Sequence, residues 1–190
     1  VIDSLIYIVA YASPDFSITQ IGNLASLRIG IKNASKEQSE NVLEASALLS
    51  GAHIHHKIAD NIIAAIWRKY ILTCAYNITT ARYNRTIGQL REDPETAAQY
   101  ETLVRESWLV SEAAGAGVPE TSINEIIDQF YHKLDPASTS SLQRDIWAGR
   151  PSELETFSGY LVRKAKELSV PVPLSETMYS DLKEIVSKQS

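Results

Sequence analysis

The sequence predicts a mainly α-helical fold, a bundle of about seven helices on a short β stub, and three observations carry that prediction. Residues 1–32 hold short runs of β-branched and other apolar residues divided by turn signals. From about Ser35 onward apolar residues recur at helical spacing, with prolines and glycines between the runs. At the centre, Trp67–Asn84 is apolar on most sides, as a helix buried in a bundle is.

Taken in order, Ser4–Ala12 and Ser26–Ile31 read as strands, with a weaker strand at Ser17–Ile21. Ser13-Pro14-Asp15 and Gly22-Asn23 supply the turns between them. So small an antiparallel sheet needs something to pack on. Residues 1–32 are therefore expected to be the last strands of a larger β-containing domain, and residues 33–190 an all-α domain. Ser35–Leu49 is the first helix, with Glu37 in its first turn, and Gly51–Lys57 is a connector. The long helix follows over Ala59–Tyr83. Pro94 suits the first turn of a helix that runs to about Ala114 and stops at Gly115-Ala-Gly117 and Pro119. Thr121–Leu134 is amphipathic through Ile123, Ile126, Ile127 and Phe130. Ser140–Trp147 is short, Ser152-Glu-Leu-Glu155 reads as a capping box opening Glu153–Leu168, and Ser175–Lys188 closes the chain.

Within the long helix, Lys69, Thr73 and Asn77 stand at i, i+4 and i+8 and so share one face. Asn84 returns to that face if the helix continues. A lysine on an apolar rod either carries its charge out to solvent or sits with a lowered pKa, where it can donate or accept a proton near neutral pH. A second polar constellation is residues 140–155. Ser141 and Asp145 lie one helical turn apart, and Glu153 falls in a first turn, where free N–H groups favour a carboxylate. Capping alone accounts for Ser141 and Glu153. Together with the lysine stripe, though, they offer hydroxyl and carboxylate groups to a substrate bearing a carbonyl and a carboxylate.

Composition narrows the function classes. Forty-four per cent hydrophobic and 22% charged residues are ordinary globular proportions. A net charge of −5 argues against nucleic acid as a partner, whose footprint is a basic face. No apolar run reaches the roughly 20 residues of a membrane-spanning helix. No leader with a cleavage site is evident, and the single cysteine, Cys74, suits a reduced, cytoplasmic setting. His53, His55 and His56 lack metal-ligand spacing, so no metal is expected. Gly115-x-Gly117 follows a helix rather than a strand and is not a dinucleotide loop.

The two constellations together resemble the C-terminal domain of the 2-dehydropantoate 2-reductase (ketopantoate reductase) family. The likeness lies in Trp67-Arg68-Lys69 with Asn77 and Thr79-Thr80-Ala81, and in Asp145-Ile-Trp-Ala-Gly-Arg-Pro-Ser-Glu153. Gly159 and Val170-Pro171-Val172-Pro173 fit as well. The resemblance implies a helical domain of the 6-phosphogluconate dehydrogenase-like type, with residues 1–32 ending an N-terminal Rossmann domain. It implies reduction of 2-dehydropantoate to pantoate, for coenzyme A synthesis, by NADPH held mainly in that N-terminal domain. Lys69 would be the general acid at the ketone oxygen. Glu153 would hold substrate or cofactor and orient the lysine, and Asn77, Ser141 and Thr73 would lie against the substrate. A homodimer through the helical domain is the implied assembly.

Three positions depart from the family pattern. Thr73 stands where the family usually has asparagine, Ile87 where a polar residue is expected, and Ser158-Gly159 where Asn-Gly is usual. A related 2-oxo acid is therefore an alternative substrate. No Gly-rich strand–turn–helix occurs in the sequence, so the chain alone is expected neither to bind NADPH tightly nor to turn over. The enzyme reading predicts that Lys69 and Glu153 converge on one cleft. The competing reading, a helical dimerisation module without catalysis, predicts a lysine pointing to solvent.

Overall fold

The computed structural model describes residues 1–188, apart from the side chains of Asn23 and Leu24. Backbone contacts divide the chain into two compact units, Val1–Ile66 and Trp67–Ser190. The first unit opens with β1 (Asp3–Ala12) and β2 (Ile18–Gly30), paired antiparallel. The turn expected at Gly22-Asn23 is instead part of β2, which absorbs the separate strands expected at 17–21 and 26–31. Gly22 takes a φ of 70°, and the pairing shifts between Ile8 and Ala10. Extra residues are thus accommodated as a bulge, without reversing the chain. The reversal itself is at residues 13–17, where Asp15 accepts from the Ser17 N–H and hydroxyl.

α1 (Lys36–Gly51) starts at a capping box: Ser35 accepts from the Gln38 N–H, and the Gln38 side chain accepts from the Ser35 N–H. The expected connector then contains β3 (His56–Ile58), parallel to β2. Three residues are too few to show strand periodicity, and β2 supplies the pairing that makes them one. β2, α1 and β3 form a β-α-β unit, and α1 and β3 group with the strands rather than with the later helices. Leu5, Ile29, Val42 and Ile62 are buried, whereas Ile6, Ile8, Val9 and Tyr11 of β1 remain exposed. Gly30 is required by close approach, since a Cβ there would lie 2.9 Å from Ile62 Cβ.

α2 (Ile62–Tyr83) is the long central helix. It ends at Asn84, whose φ of 49° turns the backbone out of the helix, so the stripe does not continue through Asn84 on helical geometry. A short helix that periodicity misses, α3 (Ile87–Glu92), follows, opened by a Thr86–Gln89 capping box. α4 (Pro94–Ala113) begins at Asp93 with Pro94 in its first turn, as expected. α5 (Glu120–His132) buries Ile123, Ile126 and Phe130, and the Phe130 ring stacks on Tyr100 at 4.0 Å. α6 (Ser141–Trp147) and α8 (Pro173–Ser187) stand close to where the sequence puts them.

The helix expected over 153–168 differs. Its first turns are a π-helical segment, Glu155–Gly159, and α7 proper is Tyr160–Glu167. The capping box read from Ser152 and Glu155 does not form. The Glu155 carboxylate is taken by Arg163, at 2.6 Å, and by the Tyr179 hydroxyl. Those two partners hold its pKa below the usual carboxylate value. Gly159 leaves the space that this Glu155–Arg163 pair occupies. The observed architecture is thus the expected one, helices following a short β stub, with eight α-helices among the described residues.

Candidate active site

Lys69, Thr73 and Asn77 line one face of α2 as the spacing requires, each in a different state. Lys69 is half-buried, and withdrawal from water lowers its pKa below the ordinary lysine value. The Thr73 hydroxyl donates into its own helix, to the carbonyls of Lys69 (2.9 Å) and Tyr70 (3.1 Å). Asn77 is buried; its Nδ2 donates to the Thr73 carbonyl at 2.8 Å and its Oδ1 accepts from the Leu142 N–H at 3.4 Å. That last bond brings the stripe to the first turn of α6.

α6 is docked on α2 by a series of polar contacts. Thr80 Oγ1 donates to Ser140 Oγ at 2.7 Å, and Ser140 accepts from the Gln143 N–H at 3.0 Å, so Ser140 is the cap. Ser141, read from sequence as the substrate-side serine and a capping candidate, is the exposed first residue of the helix instead, with its hydroxyl free of the capping role. The Tyr76 hydroxyl donates to the Thr139 carbonyl (3.1 Å), Gln143 Nε2 to Asn84 Oδ1 (3.1 Å) and Trp147 Nε1 to the Ala81 carbonyl (2.9 Å). Thr80, Asn84 and Ala81 thus extend the contact beyond Asn77, and Asn84 reaches α6 through its turn conformation. Sequence spacing could not pair them, because the partners lie about sixty residues apart.

After α6 the motif folds back on itself. Arg150 donates to Asp145 Oδ1 from Nε (3.0 Å) and Nη2 (2.8 Å), which closes the loop ahead of Glu153. Glu153 is exposed, and its hydrogen bonds among the described residues run through its backbone carbonyl, to the N–H groups of Thr156 (3.0 Å) and Phe157 (3.1 Å). The structure therefore joins Asn77 to the Ser141 turn directly and leaves the Glu153 carboxylate open to solvent. Sequence reasoning missed Tyr70, whose hydroxyl donates to the carbonyls of Phe157 (2.6 Å) and Thr156 (3.2 Å), and the role of Cys74, 3.4 Å from the same Phe157 carbonyl. Burial pushes both their pKa values up, so each is a neutral donor.

His56 bonds Ser46 Oγ (2.7 Å) and the Ile54 carbonyl (2.8 Å). Among the described residues no group of three or more His, Cys, Asp or Glu could hold a metal ion. Among them, too, no helix is long and apolar enough to cross a membrane. The link from β2 to α1 contains no glycine, and Gly115 and Gly117 close a helix, so these residues do not themselves fit a dinucleotide pyrophosphate.

A half-buried lysine on a central helix thus heads a polar stripe onto which a short helix docks, an arrangement that can offer a proton donor beside a hydrogen-bonding wall. Residues 61–186 match the family model described as "Ketopantoate reductase PanE/ApbA C terminal", and the chain belongs to that family. It is 27% identical over 162 residues to the uncharacterized oxidoreductase YkpB of Bacillus subtilis, covering 83% of this chain and 52% of that protein. It is 30% identical over 126 residues to the 2-dehydropantoate 2-reductase of Shigella flexneri, covering 65% of this chain and 40% of that enzyme. The chain thus spans about half or less of the length of these relatives. Among solved structures, a dimeric ketopantoate reductase of Staphylococcus aureus superimposes with a TM-score of 0.84 at 22% identity, over 100% of this chain and 62% of that one. A D-mandelate dehydrogenase bound to NADH and anilino(oxo)acetate gives 0.81 at 17% identity, over 97% and 59%. At such identities the superpositions speak for the fold.

Proposed function

We propose that this chain is the substrate-binding and catalytic part of an NADPH-dependent reductase that converts 2-dehydropantoate, or a related 2-oxo acid, to the 2-hydroxy acid in pantothenate and coenzyme A biosynthesis. The observation that carries the reading is Lys69, half withdrawn from water with a lowered pKa, at the head of a stripe whose Asn77 is bonded to the turn bearing Ser141. Family membership supplies the reaction class. NADPH bound in a cofactor domain would supply the hydride for the ketone carbon. Lys69 gives one N–H proton to the ketone oxygen as negative charge develops there, and takes a proton back from solvent. A lowered pKa suits this work, since a donor nearer the working pH parts with its proton more readily. Ser141, whose hydroxyl makes no bond among the described residues, and Glu153, with its exposed carboxylate, are available to hold substrate and orient the lysine, while Thr73 and Asn77 shape the wall beside it.

Residues 1–32, which hold β1 and β2 with apolar residues of β1 exposed, are read as the end of a Rossmann-type cofactor domain. These residues hold no dinucleotide fingerprint, so the 190-residue chain assayed alone is expected to show neither tight NADPH binding nor turnover. A homodimer through the helical domain is part of the reading, supported by the relative described as dimeric, and a cytoplasmic location accords with this chemistry. The test is the full-length protein with NADPH and a panel of 2-oxo acids. Lys69→Ala should lower kcat by about 10²–10⁴-fold. Complete retention of activity in that variant would remove Lys69 from the mechanism and leave a helical interaction module.

A further inference from the structure

The π-helical segment Glu155–Gly159 raises a question about the site: what holds the turn that carries Glu153? In a π turn such as this one the N–H of Tyr160 bonds back five residues, to the Glu155 carbonyl, and π turns inside helices are frequent at functional sites. The carbonyls of Thr156 and Phe157 receive the Tyr70 hydroxyl, and the second also receives Cys74 Sγ. The N–H groups of the same two residues donate to the Glu153 carbonyl. A short chain of bonds therefore runs from the residue next to Lys69 to the backbone of Glu153.

The Tyr70 ring has little freedom. It meets Trp67 edge-on at 5.5 Å and 86°, and Tyr160 at 5.5 Å and 89°. We propose that Tyr70 is a positioning residue of the reductase site, fixing the turn that bears Glu153 in register with the helix that bears Lys69. The inference rests on the proposed roles of Lys69 and Glu153 and adds to them a residue whose value lies in geometry. Since the Glu153 carboxylate makes no bond of its own among the described residues, its place follows from the backbone beneath it. A hydroxyl kept neutral by burial is a constant anchor for that backbone across the working pH range.

The test uses the full-length protein with NADPH and its best 2-oxo acid, comparing Tyr70→Phe, Glu153→Gln and the double variant. Tyr70→Phe is expected to lower kcat by about 10-fold, the scale of a small misplacement of reacting groups, with the KM for NADPH little changed. The basic limb of its pH profile should move the same way as in Glu153→Gln, and the double variant should be no slower than Glu153→Gln alone. An unaltered kcat and an unmoved basic limb in Tyr70→Phe, whatever its melting temperature, overturns the proposal. Should Tyr70→Phe fail to fold, Cys74→Ala removes the weaker bond to the same carbonyl. A kcat lowered by about 2-fold supports the proposal there, and an unchanged one overturns it. If Glu153→Gln itself retains full kcat, the assigned role of Glu153 has failed, and that control identifies the failure as the site's rather than that of Tyr70.

Discussion

Glu106 offers the sharpest test of the packing described above. It lies on α4, 6% exposed, and neither partner of its carboxylate is a cation. Helix α8 begins at Pro173 with no side-chain cap from Val172. Proline has no N–H, so the first free donors of the helix are the N–H groups of Leu174 and Ser175. Glu106 takes both, Oε1 from Leu174 at 3.0 Å and Oε2 from Ser175 at 2.8 Å, and Oε2 also accepts the Ser175 hydroxyl at 2.6 Å. A residue 68 positions earlier thus caps the last helix. Hydrogen bonds to a charged group contribute about 1.5–3 kcal/mol each, and a carboxylate at a helix N-terminus adds about 0.3–1 kcal/mol. The three bonds share one carboxylate, and water can reach half-buried Leu174, so Glu106→Ala should cost about 3–4 kcal/mol, short of the full sum. At roughly 3 °C per kcal/mol for a unit of this size, the melting temperature falls by about 10 °C. Glu106→Gln, which keeps one acceptor oxygen but turns an amide donor toward the helix, should cost about 2 kcal/mol. Thermal unfolding followed by circular dichroism measures both, and amide exchange at Leu174 and Ser175 localises the effect. A drop of under about 3 °C in Glu106→Ala would refute the capping argument.

If Lys69 donates the proton, its charged form is the active one; a lowered pKa means that this form is lost as pH rises through a value below that of an ordinary lysine. The basic limb of kcat/KM should fall there, and a midpoint at or above the ordinary lysine value would contradict the desolvation account. Gly30→Ala must push a Cβ against Ile62 Cβ and should destabilise by about 1–3 kcal/mol. Gly51→Ala, with nothing within 4 Å and a helical position, should stabilise by about 0.4–1 kcal/mol, so equal effects in denaturant titrations would sink the contact argument. Because the Thr73 hydroxyl proton is committed to the helix backbone, Thr73→Asn adds a donor to the stripe. It should raise the kcat/KM ratio of a hydroxylated over a plain 2-oxo acid by about 10-fold, and an unchanged ratio would take Thr73 out of substrate selection.

Much of this molecule could be read before any coordinates. Local chemistry sets where helices begin and end: Pro94 opening α4 and the glycines after Ala113 act through neighbouring backbone alone. The Lys69–Thr73–Asn77 stripe follows from helical period, and the two motifs carry the family. Elements that depend on distant partners escaped that reading. β3 exists because β2 pairs with it, and Glu155 leaves its expected capping role because Arg163 and Tyr179 compete for its carboxylate. Ser140 rather than Ser141 became the cap once Thr80 was there to bond it.

The sequence by itself determined the longer helical segments, which face of the central helix is polar, and to which family the chain belongs, since each rests on spacing along the backbone or on residue identity. Tertiary structure alone decided that Asn77 meets the turn of Ser141, that Tyr70 holds the π turn below Glu153, and that Glu106 caps the last helix. Those contacts join residues 65 to 87 positions apart. Hydrogen bonds of that range are chosen by how buried donors and acceptors find partners once the helices pack, and no local pattern records the choice.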